Sequence, residues 1–248
     1  METSTAPLDA AADGTRGVPA VLQVLPAMTG GGVERGVIDV ASALVQEGWR
    51  AIVASAGGPQ VRDLLRAGAT HVTLPIDARN PFLFARNRGL ITAVARDHGV
   101  NLIHARSRAP AWAARGAART LGLPFVTTFH GYYSHSNVAK RYYNSIMTKG
   151  DRVIAISQFI AKHIRATYRV NDDRIVTIPR GVDSVVFDPA AVSAPRLARL
   201  SKAWRLPDGV PVIMLPGRLT RWKGQRVLLE SLPRLRHKEF VCVIVGGA

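Results

Sequence analysis

The chain of 248 residues carries a formal net charge of +16 at pH 7, and 47% of its residues are hydrophobic. Such a basic excess attracts polyanions, which include nucleic acid, anionic lipid headgroups and phosphorylated substrates. Aromatic residues make up only 6%, and no Cys and His residues have zinc-ligand spacing, so we expect no nucleic-acid partner. The apolar content suffices for a packed core, but no apolar run reaches the ~20 residues that a membrane-spanning helix needs.

The single cysteine, Cys242, excludes an internal disulfide, and its apolar surroundings predict a buried, unreactive thiol. The first residues are polar and acidic, unlike the basic and then apolar start of a secretory signal. We therefore expect a cytoplasmic protein.

Residues 1–17 are rich in Ala, Thr, Asp and Gly without periodicity, which predicts a flexible tail. From residue 20 onward, apolar runs alternate with segments of helical periodicity. The runs predict strands at 20–25, 51–55, 71–74, 102–105, 125–129, 152–156 and 174–178. The periodic segments predict helices from 33 to the glycine at 48, and at 60–66, 82–97, 109–121, 138–147 and 158–168, the last with Ser157 as its N-cap. This alternation favours an α/β fold with a parallel, doubly wound sheet over residues 18–184.

A connector with three prolines follows this domain and is predicted to hold one helix around residues 197–204. A second sheet then begins with a buried strand at 212–215, a helix at 225–235 and a strand at 240–245. We therefore assign residues 185–248 to a linker and part of a second Rossmann-like domain.

The turn after the strand at 212–215 carries three cations, Arg218, Arg221 and Lys223. Turns at the carboxyl ends of parallel strands bind anionic groups, because the first backbone N–H groups of the following helix are free. The position favours a phosphate site over the alternative, a solvated basic loop.

Residues 217–224 (GRLTRWKG) resemble the G-R-[LF]-x-x-x-K-G signature of family-four glycosyltransferases, which have two Rossmann-like domains in the GT-B fold. The resemblance implies that Arg218 and Lys223 hold the diphosphate of a nucleotide-sugar donor beside Gly217 and act catalytically. They would do so by stabilising the charge on the departing diphosphate. The sequence has no Asp-x-Asp pair, so we expect no metal and no cofactor, and the two cations would neutralise the diphosphate.

A glycine-rich turn at residues 29–35 (TGGGVER) connects the first strand to the first helix. Consecutive glycines let a ligand approach the backbone, although a tight turn for packing explains them equally well. The turn resembles the family's G-G-x-E/A-R-x loop, which lies across the cleft from the donor phosphates. Gly31, Gly32 and Glu34 are therefore candidate substrate-binding residues on the acceptor side.

Two histidines, His104 and His130, lie at strand ends, where parallel sheets bind ligands. A single histidine there is more often structural, but two at apparently neighbouring strands indicate a pocket. Residues 127–131 (TTFHG) resemble the family's T-x-H-x segment, which implies that His130 contacts the transferred sugar and is a third catalytic residue. His104 is a second candidate substrate-binding residue.

Residues 179–183 (PRGVD) resemble the family's P-N-G-V-D crossing between domains, with Arg180 in place of Asn. Arginine cannot supply the amide carbonyl of asparagine, but its guanidinium can reach a phosphate. Arg180 is therefore a candidate substrate-binding residue.

The resemblance extends from Val21 to Gly247 and implies a retaining hexosyltransferase. It would move a sugar from a nucleotide-diphosphate donor to a saccharide or lipid-linked acceptor. Similarity to bacterial enzymes of cell-surface polysaccharide or lipopolysaccharide biosynthesis points to a mannosyl or glucosyl donor. The family's E-x7-E segment, which binds the donor ribose, would lie beyond Ala248, so we expect the front part of a longer protein, inactive by itself.

Two other functions remain open on sequence grounds. A non-catalytic binder of RNA or acidic glycans would use the arginine-rich surface, and its binding would weaken steeply with salt. A nucleotide-sugar epimerase would share the two-domain architecture.

Apolar and basic side chains adjoin at residues 82–88 (FLFARNR) and 140–143 (KRYY). These segments predict peripheral attachment to the anionic inner face of the cell membrane. Solvated arginines on a helix that faces the core are the alternative.

Overall fold

The computed structural model describes residues 17–77, 83–237 and 239–247. The chain divides between Arg180 and Gly181 into two compact units, here named unit 1 and unit 2. The boundary expected from the sequence lies a few residues later, at 184. The expected tail, apart from Gly17, lies outside the described residues.

Unit 1 is built on a seven-stranded sheet in which every described strand pairing is parallel. Its strands are β1 (Ala20–Val24), β2 (Arg50–Ser55), β3 (Thr70–Thr73), β4 (Leu102–Ala105), β5 (Phe125–Phe129), β6 (Arg152–Ala155) and β7 (Ile175–Thr177). The order is β3-β2-β1-β4-β5-β6-β7, which confirms the predicted doubly wound α/β class. The carboxyl ends of β1 and β4 therefore border the topological switch point, where open α/β sheets bind ligands.

Among the described residues, six α-helices connect these strands. They are α1 (Gly32–Gln46), α2 (Val61–Arg66), α3 (Phe84–Asp97), α4 (Arg108–Leu121), α5 (Val138–Ser145) and α6 (Gln158–Tyr168). The Ser157 hydroxyl accepts a hydrogen bond from the Ile160 N–H, so the predicted N-cap of α6 is confirmed. The helix predicted at 138–147 ends earlier, and its last turn is the 3-10 helix Ile146–Thr148.

Two apolar clusters pack on the sheet of unit 1, one along all of its length on one face and the other against β1 and β2 on the opposite face. Within β2, Ile52 and Ala54 contact one cluster, whereas Ala51 and Val53 contact the other. The first cluster includes side chains of α3, α4 and α6, and the second includes those of α1 and α2. Because β1 and β2 are buried on both faces, they are continuous apolar runs in the sequence. The same packing holds in place the strand ends that carry the candidate site.

Unit 2 contains the parallel strand pair β8 and β9. Its elements are α7 (Ala194–Trp204), β8 (Val212–Pro216), α8 (Gln225–Ser231) and β9 (Val241–Val245). The prediction of a buried strand at 212–215 is wrong, because Val212 and Met214 are exposed on the open face of the two-stranded sheet. Cys242 is likewise half-buried rather than buried.

The helix predicted at 225–235 is shorter in the structure. It ends at Ser231 and is followed by the 3-10 helix Leu232–Arg234, which contains a proline that has no backbone N–H to continue the α-helical pattern. Within the described residues, no helix is both long and apolar enough to cross a membrane.

Candidate active site

The glycine-rich turn lies at the carboxyl end of β1, beside the switch point. Gly30 and Gly31 have φ of +123° and +148°, which side-chain-bearing residues rarely adopt. Gly31 precedes α1 and no side chain caps the helix, so the free N–H groups of the first turn favour an anion. Glu34 is half-buried in that turn, and a Cβ on Gly31 would lie 3.0 Å from its Oε2 atom.

Arg180 connects this turn to the end of β5. Its Nη1 donates a hydrogen bond to the Gly32 carbonyl oxygen, and its Nη2 donates to Nδ1 of His130 over 2.8 Å. The structure therefore brings together three candidates that are far apart in the sequence, Gly32, His130 and Arg180.

His130 is neutral in this environment. Burial, together with the charges of Arg106 and Arg180, lowers the pKa of its imidazole to about 3. Because a guanidinium can only donate hydrogen bonds, Nδ1 of His130 must be the acceptor, and the ring proton is on Nε2. That Nε2 atom is buried and has no hydrogen-bond partner among the described residues.

Arg106 belongs to the same site, although it is not among the residues proposed from the sequence. It follows β4, and its backbone N–H donates to the Val24 carbonyl at the end of β1 over 2.9 Å. Its side chain is 5% exposed. Burial lowers the pKa of the Arg106 guanidinium to about 10, the charge of Arg180 adds to this effect, and Asp39 opposes it. The sequence did contain a signal for Arg106, since it is a basic residue that directly follows a buried strand, two positions after His104.

Gly36 shows how close the two arginines lie. A Cβ at Gly36 would be 3.0 Å from Nη2 of Arg106 and 3.5 Å from Nη1 of Arg180. Both guanidinium groups therefore lie against the same side of α1, close to the glycine-rich turn.

His104 is fully within the sheet rather than at its edge. Its Nε2 is 2.7 Å from the hydroxyl of Thr128, on the neighbouring strand β5. Burial holds the pKa of His104 well below its usual range, and the charge of Arg106 acts in the same direction. This contact is structural, and a role for His104 in substrate binding remains a prediction.

The second group of candidates lies in unit 2, on the turn between β8 and α8. Gly217 has φ of +155°, and its N–H donates to the Val245 carbonyl over 2.7 Å, which fixes the turn to the end of β9. Arg218 and Lys223 are exposed, and neither forms an ion pair with any residue that the structure describes. The Lys223 ammonium lies 4.3 Å from the ring centroid of Trp222. Two unpaired cations on a strand-to-helix turn can hold a diphosphate.

Comparison with known proteins agrees with the resemblance. A D-inositol 3-phosphate glycosyltransferase from Nocardiopsis dassonvillei is 31% identical over 189 residues, which are 67% of this chain and 42% of that protein. The crystal structure of a glycosyltransferase from Rickettsia africae superposes with a TM-score of 0.80 at 41% identity, over 93% of this chain and 61% of that one. The structure of HepE from Anabaena in complex with UDP and glucose has a TM-score of 0.76 at 20% identity, over 92% and 61% of the two chains.

The chain thus spans less than half of the Nocardiopsis protein and about three fifths of the two solved chains. These structural neighbours confirm the expected GT-B glycosyltransferase fold. The sequence model of Glycosyltransferase Family 4 matches residues 30–185, more than half of the chain. The chain belongs to glycosyltransferase family 4.

Proposed function

We propose that the protein transfers a sugar from a nucleotide-diphosphate donor to a saccharide or lipid-linked acceptor. One observation carries this proposal: Arg218 and Lys223 are exposed and unpaired among the described residues, on a strand-to-helix turn that has the family's phosphate-binding signature. In this proposal the cations stabilise the charge that develops on the departing diphosphate. They do so without a metal and without any other cofactor.

The residues of unit 1 have the complementary roles. Gly31 and Gly32 line the acceptor side, where the positive φ of Gly31 and the absence of side chains at both residues allow a substrate to approach the backbone. His130 contacts the transferred sugar, and its unpartnered Nε2–H is suited to donate to a sugar hydroxyl. Glu34 and His104 are further substrate contacts.

We further propose retention of anomeric configuration, a mannosyl or glucosyl donor and a role in cell-surface polysaccharide or lipopolysaccharide synthesis. HepE, which shares the fold, was crystallised with UDP and glucose, which supports a nucleotide-sugar donor. A cytoplasmic location, with peripheral attachment to the membrane, would bring the enzyme to a lipid-linked acceptor.

A transfer assay tests the proposal. The whole protein is incubated with UDP-glucose or GDP-mannose and a lipid-linked saccharide extract, with and without EDTA, and the product anomer is assigned by NMR. We expect transfer with retained configuration that EDTA does not abolish. Epimerised donor without transfer would favour the epimerase, and salt-sensitive RNA binding without either reaction would favour the polyanion binder.

A further inference from the structure

We propose that Arg106, Arg180 and His130 form a binding site in unit 1 for an oxyanion, the phosphate or carboxylate group of a substrate. The site lies at the switch point of the sheet, next to the glycine-rich turn. Arg106 is absent from the residues that the family resemblance assigns.

The site has more hydrogen-bond donors than acceptors. Arg106 is 5% exposed, yet its Nε–H has no hydrogen-bond partner among the described residues. The Nε2–H of His130 is buried without a partner as well. A buried donor that is left unsatisfied costs about 1–3 kcal/mol, so two of them in one site indicate a missing acceptor. An oxyanion offers only acceptor atoms.

The site also carries an excess of positive charge. The guanidinium groups of Arg106 and Arg180 both lie against Gly36, and within the described ranges neither forms an ion pair. The nearby carboxylate of Asp39 accepts a hydrogen bond from Arg35 at 2.8 Å. Like charges held this close repel each other, and an anion between them would remove the repulsion.

The site is open to solvent on one side. Gly31, Gly32 and Arg180 are exposed, so a ligand reaches the site from solvent although Arg106 is buried. The uncapped N-terminus of α1 adds free N–H groups and the positive end of a 15-residue helix on the same side.

The donor diphosphate and an acidic acceptor are the two sources of such a group. We assign the site to the acceptor, and this assignment rests on the proposed function, in which Arg218 and Lys223 of unit 2 hold the diphosphate. The expected acceptor class is then a phosphorylated or carboxylated sugar rather than a neutral one.

Titration calorimetry on the 248-residue chain tests the site. The probes are inorganic phosphate, glucose 6-phosphate, glucuronate, neutral glucose and UDP. The site variants are Arg106→Gln, Arg180→Gln and Gly36→Ala. The Gly36→Ala variant keeps both arginine charges but places a methyl group against Arg106. Arg119→Gln is the control, because it removes the same charge from an exposed position on α4.

We expect glucose 6-phosphate or glucuronate to bind more tightly than glucose, and each site variant to weaken this binding at least tenfold. UDP binding should depend on Arg218 instead. Equal affinities in Arg180→Gln, Gly36→Ala and Arg119→Gln would overturn the site, even if Arg106→Gln fails to fold. If Arg180→Gln loses UDP binding and Arg218→Ala does not, both the acceptor assignment and the proposed role of Arg218 are overturned. If only Arg218→Ala loses UDP binding, the result supports the acceptor assignment and the role of Arg218.

Discussion

Nη2 of Arg180, the last residue of unit 1, donates a hydrogen bond to Nδ1 of His130 at the end of β5, with 2.8 Å between the two atoms. A protonated imidazole could not accept this bond. The contact therefore requires neutral His130, in agreement with a pKa of about 3 that results first from burial and then from the two arginines.

We predict that acid destabilises the chain through His130. Its folded-state pKa lies below the unfolded value of about 6.5, so the unfolded state binds more protons and stability falls as pH drops from 6.5 towards 3. Between pH 6.5 and 5 the loss should be about 1.6 kcal/mol for this one group. Urea unfolding of wild type and His130→Gln at several pH values measures it.

The His130→Gln variant should show a shallower fall in unfolding free energy over this range. At pH 8 neither protein titrates at this position, so the difference measured there gives the cost of the lost contact alone. An unchanged pH slope in the variant would show that folding does not lower the pKa of His130.

We predict that Arg218→Ala and Lys223→Ala impair transfer by the whole protein much more than they impair stability. Both side chains are exposed, and substitutions at such positions usually change the free energy of unfolding by no more than about 0.5 kcal/mol. Loss of one transition-state donor raises the barrier by about 2.7–4 kcal/mol, or roughly a hundredfold to a thousandfold in rate. Rates of transfer and melting temperatures provide the comparison.

Arg226→Ala is the matched control for this prediction. Arg226 lies on α8 shortly after the turn, and its guanidinium is engaged by Glu230 at 2.6 Å. It should retain full activity. Near-normal transfer in both Arg218→Ala and Lys223→Ala would show that the diphosphate binds elsewhere.

We predict opposite effects of alanine at two glycines of unit 1. Gly31 has φ of +148°, a strained conformation for alanine, so Gly31→Ala should destabilise the chain by about 1–3 kcal/mol. Gly89 lies exposed within α3 with open space where a Cβ would be, so Gly89→Ala should stabilise it by about 0.5–1 kcal/mol. Chemical denaturation measures both, and a neutral Gly31→Ala would show that the turn relaxes to an ordinary conformation.

Membrane attachment remains a prediction. Phe82 lies outside the described residues, and Phe84 stacks on Trp112 with ring centroids 6.4 Å apart, so part of that segment packs on the protein. Tyr142 also packs on Trp112, with ring centroids 5.3 Å apart, but it is 67% exposed next to Arg141.

Vesicle sedimentation with neutral and anionic liposomes tests this prediction. We expect binding to the anionic vesicles only, and a reduction in the double variant Lys140→Gln, Arg141→Gln, since each basic residue near such a surface contributes about 1 kcal/mol. Arg119→Gln serves as the control. Equal binding to both vesicle types, or to neither, would contradict the prediction.

The sequence predicted the type of nearly every element because parallel strands buried on both faces are continuous apolar runs between amphipathic helices. The bounds of β4, β5 and α6 agree fully with the prediction. Burial was predicted less well in unit 2. An apolar run such as 212–215 predicts a strand, but it does not show how many other elements pack against that strand and bury it. Strand order also depends on long crossovers that no local pattern encodes.

For the site, local motifs predicted Gly32, His130 and Arg180 but not their contacts. Arg106 was missed because a single arginine after a strand has no periodicity to distinguish it from a solvated one. Its burial follows from the neighbouring positions of β1 and β4, which are separated in the sequence by β2, β3 and three helices.

The contact of both guanidinium groups with Gly36 has a consequence for sequence variation among relatives. A Cβ at this position would lie 3.0 Å from Nη2 of Arg106, so any side chain would displace that guanidinium, whereas its distance of 3.5 Å from Nη1 of Arg180 is an ordinary contact. Relatives that keep arginine at the position of Arg106 should therefore keep glycine at the position of Gly36. Relatives without this arginine are free of the constraint, and alanine or serine should occur there in their first helix.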